Sequence, residues 1–210
     1  MIIGIPVYQQ VDLLDVTGPY EMFQWMKQSQ PDTEVQIIAE TAGEITSRGN
    51  GLTFKATKCF ADVDALDVLW VPGGDPDALK VLMKRPSRYL DFLVAVSKNA
   101  RFVTSVCEGA LLLAAAGLLD GYRATTHWAF VPCLKKFPKI KVVEGHPRFV
   151  VDGNRVTGGG ISSGLDEALK LIELMTSSDI AQAVQRSTQY YPDPPVASVI
   201  PPAVKCPLDG

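Results

Sequence analysis

The 210-residue chain predicts an α/β protein: a three-layer sandwich, in one domain, whose mostly parallel central sheet is flanked by helices. Three observations predict it. Short β-branched apolar runs alternate with helical periodicity along the chain. The run "LDVLWV" (66–71) is apolar without alternation, as strands buried on both faces of a parallel sheet are. No internal repeat, and no linker long enough to split the chain, interrupts the pattern.

The elements follow in order. Residues 2–7, "IIGIPV", read as a buried first strand, and 17–28, "TGPYEMFQWMKQ", as a helix with Thr17 as its N-cap and Pro19 in its first turn. Residues 34–40 form a second strand, and 52–57 alternate like a half-exposed one. "LDVLWVPGG" (66–74) is a central strand closed by a Pro-Gly-Gly turn. Helices are expected within 77–85 and 88–99. "RFVTSV" (101–106) is the strand that runs into Cys107, and the apolar helix after it ends at the Asp120-Gly121 turn. A short helix is expected within 128–137. Three short strands follow over 141–160, the last two joined by an Asp-Gly turn. Residues 164–175 and 178–189 are amphipathic helices. The α/β domain is expected to span 1–190. Residues 191–210 then form a proline-rich C-terminal arm, with five of the 15 prolines inside "YPDPPVASVIPPAV" (191–204), laid on the body or on a partner.

Composition removes several classes. A net charge of −3 without clustered Lys and Arg argues against nucleic acid as a partner. The opening "MIIGIPVYQQ" lacks a positively charged leader, and the longest apolar stretch, 109–119, falls short of the roughly 20 residues of a membrane span. A cytoplasmic protein without a membrane partner is expected. Cysteines 59, 107, 133 and 206 form no C-x-x-C pair, which indicates neither a zinc ribbon nor a disulfide framework. All four are expected as free thiols.

Cys107 sits where a buried strand turns into a helix, at the sheet edge where open α/β folds bind ligands. A helix N-terminus favours thiolate, the nucleophilic form. Ser105 and Gly109 supply the small neighbours that a strained, projecting turn needs. The competing reading is a small buried hydrophobe. Gly73 and Gly74 end another central strand, and their N–H groups are candidates to stabilise developing negative charge, against the plainer role of a turn. Asp15, after the first strand, is an acid–base candidate or a helix cap. Glu108 belongs to the first turn of the cysteine's helix, where the dipole favours an outward carboxylate; turned inward, it would raise the thiol's pKa. His127 and His146 are the two histidines. "GGGISSG" (158–164) is an incomplete dinucleotide fingerprint, and Glu144-x-His146 has no metal-ligand spacing.

Taken together, "LDVTGP", "VPGG", "VTSVCEGALLLAAAGLLDG", "RATTHW", "VTGGGISSGLDEAL" and "QYYPDPP" resemble the ThiJ/PfpI superfamily of the class I glutamine amidotransferase-like fold, over nearly the whole chain. The branch they resemble most is isocyanide hydratase. That resemblance implies a homodimer acting on a small molecule, without metal or organic cofactor. It places the nucleophile on Cys107, the acidic partner on Asp15 and the oxyanion region on Gly73 and Gly74. The implied reaction converts an isocyanide to an N-substituted formamide through a covalent thioimidate. Domains of AraC-type regulators share "VC-x-G" and "ATTHW", so the alternatives are a small-molecule or redox sensor, or another cysteine-dependent hydrolase or lyase. Isocyanide hydratases commonly carry threonine after the cysteine, and protease- and glyoxalase-like relatives histidine. This chain has Glu108 there.

Overall fold

The protein is described here from a computed structural model covering residues 1–209. Its strands are β1 (Ile2–Pro6), β2 (Glu34–Ala39), β3 (Gly43–Thr46), β4 (Thr53–Ala56), β5 (Lys58–Cys59), β6 (Val68–Val71), β7 (Phe102–Ser105), β8 (Arg123–Ala124), β9 (Lys141–Val142), β10 (Phe149–Asp152) and β11 (Arg155–Gly158). Its helices are α1 (Leu13–Met26), α2 (Pro76–Met83), α3 (Arg88–Ser97), α4 (Gly109–Ala115), α5 (Val131–Leu134), α6 (Ser163–Met175) and α7 (Ser178–Ser187).

Seven strands form one sheet in the order β10-β11-β7-β6-β1-β2-β5. All neighbours run parallel except β10, which pairs antiparallel with β11 across the Asp152-Gly153 turn. Helices α1, α6 and α7 pack together as one layer, and α2 to α5 as the other, which is the three-layer sandwich the sequence predicts. Strand β6 is buried along its whole length because both layers cover it. Among the described residues no helix is long and apolar enough to cross a membrane.

Helix α1 begins earlier than expected. Asp12, not Thr17, occupies the cap position, and the Thr17 hydroxyl donates back to the Leu13 carbonyl at 3.0 Å inside the helix. Pro19 therefore lies in the helix interior, where its missing N–H leaves the Asp15 carbonyl without a helical donor. The Trp70 indole fills that vacancy, donating Nε1–H to Asp15 O at 3.0 Å. The tryptophan, edge-on to Phe23, thus ties α1 to β6 directly beneath Asp15.

Two features were not expected. Strand β3 pairs with β4 as a separate two-stranded ribbon outside the main sheet. And the four cysteines are not all free: Cys133 on α5 is bonded to Cys206, while Cys59 and Cys107 remain thiols. The partners lie 73 residues apart, so local spacing carried no sign of the bond. Residues 191–205 form no helix or strand before that anchor.

Candidate active site

The carboxyl ends of the four central strands β1, β6, β7 and β11 meet at one edge of the sheet, and each delivers part of the site. After β1, the first turn of α1 presents Asp12 and Asp15. After β6 comes the Gly73–Gly74 turn, locked to the β1 loop by the Asp12 N–H on the Gly73 carbonyl (3.0 Å) and by an antiparallel bridge between Val11 and Gly74. The Gly73 N–H donates to Asp15 Oδ2 at 2.9 Å. That amide holds the carboxyl in place and is not free to meet a substrate oxygen.

After β7, Cys107 adopts φ +56°, a left-handed conformation rare for a residue with a side chain. Several bonds hold it there. Its N–H donates to the Gly159 carbonyl beyond β11 (2.8 Å), and its carbonyl accepts from the Thr126 hydroxyl (2.8 Å). Gly109 lets α4 start against β6, since a Cβ there would strike the Val71 carbonyl.

Glu108 points inward. It is 2% exposed, and the space its carboxyl fills exists because Gly73 has no Cβ; one would stand 2.7 Å from the Glu108 nitrogen and 2.9 Å from Cys107 Cβ. The outward orientation expected from the helix dipole is therefore corrected. Helix α4 is seven residues long, and Glu108 makes no capping bond to it.

Asp12, Asp15, Cys107 and Glu108, all buried, bring one ligand atom each within 4.8 Å of one another. The thiol is directed at Asp12 Oδ2, 4.0 Å away. One oxygen each of Asp15 and Glu108 has no hydrogen-bond partner. Among the described residues this is the one acid–thiol group that could hold a metal ion, and a cation there would compete with protons.

The electrostatics favour protons. Burial, then repulsion from Asp12, holds the Asp15 carboxyl well above the usual range despite the Gly73 N–H. Burial pushes Glu108 up to about 7, with the neighbouring Cys107 thiol working against the rise. Burial also raises the Cys107 thiol well above its ordinary value; the Asp15 and Glu108 carboxyls add to this and the Ile161 N–H opposes it. These influences favour the thiol form, against the pull toward thiolate expected from a helix N-terminus. Burial raises Asp12 too, but the Arg48 guanidinium, 3.4 Å from its Oδ1, works against the rise.

A cleft of about 370 Å³ abuts this cluster. Thr126, Gly159 and Ile161, which touch Cys107 or act on it, line the cleft together with Leu14, Trp128 and Ile200. Cys107 itself is 0% exposed, one layer behind that wall. His127 lines the cleft with Nδ1 accepting from the Ala129 N–H (3.2 Å), and burial lowers its pKa, favouring neutral imidazole.

Sequence reasoning missed Asp12 and Arg48. The Asp-x-x-Asp spacing of Asp12 and Asp15, three residues apart on one helical face, was a signal that could have found the first. Nothing local marks Arg48.

Residues 2–174 match the DJ-1/PfpI family. The chain belongs to that family. The isonitrile hydratase of Pseudomonas putida is 43% identical over 199 residues, which cover 95% of this chain and 82% of that enzyme. The transcriptional regulator CdhR of Pseudomonas aeruginosa is 28% identical over 155 residues, covering 73% of this chain and 44% of the regulator. The solved structure of a ThiJ/PfpI family protein from Pseudomonas syringae matches at a TM-score of 0.83 and 33% identity, over 93% of this chain and 77% of that one. The DJ-1/PfpI fold and the resemblance read from the motifs both hold.

Proposed function

We propose that the protein is an isocyanide hydratase, with Cys107 as nucleophile, Asp15 as acid and Glu108 as base. The observation that carries this reading is the 43% identity to an isonitrile hydratase along nearly the whole chain. The buried acid–thiol cluster supports it, because an uncharged, slim R–N≡C needs a nucleophile and a proton donor on the same carbon.

Glu108, with its pKa near 7, is partly ionised at neutral pH and suited to accept the thiol proton as the sulfur attacks. Asp15, still protonated, delivers its proton to the same carbon, giving the thioimidate R–N=CH–S–Cys107. Water then adds to that carbon. Its hydrogen goes to the Asp15 carboxylate, and Glu108 returns its proton to nitrogen. In the collapse of R–NH–CH(OH)–S–Cys107 the C–S bond breaks, the hydroxyl proton passes to sulfur, and R–NH–CHO leaves. One difficult hydration becomes two easier steps. Gly74, at the same turn, is the proposed neighbour of the developing oxygen. The exposed Val196, Val199 and Val204 suit a second copy, and we propose a homodimer on that ground.

Formamide production from cyclohexyl isocyanide, wild type beside Cys107→Ser, tests the reading. Turnover in the wild type alone is expected. A folded wild type with no turnover, whose Cys107 still alkylates, would replace the hydratase with a sensor or with another cysteine-dependent reaction.

A further inference from the structure

The segment 191–205 is tied down at its two ends. At its start the Tyr190 hydroxyl donates to Asp166 Oδ1 and Gln185 Nε2 donates to the Tyr190 carbonyl, each at 3.2 Å. At its end Cys206 is bonded to Cys133, Lys136 pairs with Asp209, and Leu208 packs on the core. Among the described residues, 192–205 take part in no hydrogen bond. Five prolines stiffen this stretch, so it can keep one course without a ladder. Val196, Val199 and Val204 stand in solvent, yet Ile200, 45% exposed, joins Leu14, Trp128 and Ile161 in lining the cleft beside Cys107. Pro202 and Ala203 continue the cover over Trp128 and His146.

We propose that Ile200 determines which substituents reach Cys107, and that the Cys133–Cys206 bond holds it in that position. The isocyanide reading supplies only the identity of the substrate; the steric gate rests on the cleft. The bond acts as a strap buckle. A dithiol opens it by exchange, its two thiols becoming one disulfide while Cys133 and Cys206 regain their protons, and Ile200 loses its fixed place.

The test uses the full-length wild type, Ile200→Ala and Cys206→Ser. Peptide mass spectrometry follows the alkylation rate of Cys107, separately from that of Cys59, with iodoacetamide and with the bulkier N-cyclohexylmaleimide. The bulky-to-small rate ratio is expected to rise about tenfold in both variants, the effect of removing a few carbons from an apolar wall. An unchanged ratio in Ile200→Ala overturns the gate. A rise in Ile200→Ala with none in Cys206→Ser overturns the role of the bond. Where Cys206→Ser does not fold, dithiothreitol treatment of the folded wild type takes its place. Relative kcat/KM for cyclohexyl and methyl isocyanide should shift the same way. If the wild type hydrates neither, the functional reading fails and the alkylation ratio still decides the gate.

Discussion

Cys107 and Cys133 are both buried, and each lies in or beside an α4 or α5 helix packed on the other. Their fates differ. Cys107 stays a thiol among three carboxyls on a backbone forced to positive φ, while Cys133 is closed off by a bond to the chain's last segment. Burial alone therefore says little about what a cysteine does. What matters is whether its neighbours can exchange protons with it or can only fix it in place. The first cysteine is surrounded by strand ends, which present functional groups; the second is surrounded by a helix and an arm, which present a path.

The sharpest way to break this contrast is at the sulfur. Cys107→Ser should lower isocyanide turnover by about 10³-fold or more without lowering the melting temperature, read by formamide release and calorimetry. Asp15→Asn keeps an acceptor for the Gly73 N–H but loses the acid, and turnover should fall about 10²- to 10⁴-fold. In the wild type, activity that depends on protonated Asp15 should decline as pH rises through its elevated pKa, and the Asn variant should lack that limb. Cys206→Ser should act in the opposite sense, costing about 2–4 kcal/mol of stability through the opened 73-residue separation while leaving Cys107 present and reactive. Denaturant titration reads it.

The smallest effect sharpens the contrast through pH. Folded Glu108 holds its proton up to about 7, against 4.5 for an ordinary glutamate. Between those values the folded chain binds more protons than the unfolded one, so stability falls as pH rises. Glu108→Gln should flatten that slope of melting temperature against pH. An unchanged slope would mean that the inward carboxyl is not the group responsible.

Much of this was legible in the residues. The continuous apolar run of β6 and the strand-to-helix change at Cys107 located both the sheet and the nucleophile candidate, because burial and periodicity are local properties. Asp15 was found for the same reason. The orientation of Glu108 was not, since it depends on the missing Cβ of Gly73, 35 residues away in sequence but adjacent across the sheet edge. The bond from Cys133 to Cys206 and the approach of Arg48 are likewise long-range, and no spacing rule reaches them. The start of α1 was misplaced because Thr17 looks like a cap, whereas Pro19 is tolerated in the helix interior by the indole of Trp70.

The ribbon of β3 and β4 has a consequence of its own. Arg48 sits in its loop, with its N–H on the Val11 carbonyl at 2.9 Å and the neighbouring Gly49 N–H on Gln10 Oε1 at 3.1 Å. The positive charge facing Asp12 thus comes from a small appendage, while the acids and the thiol come from the sheet. The acids and the cation that faces them are carried on separate pieces of the fold. Substitutions in the ribbon can reset how many protons the cluster carries, and so the pH at which the site works, while every strand end keeps its place.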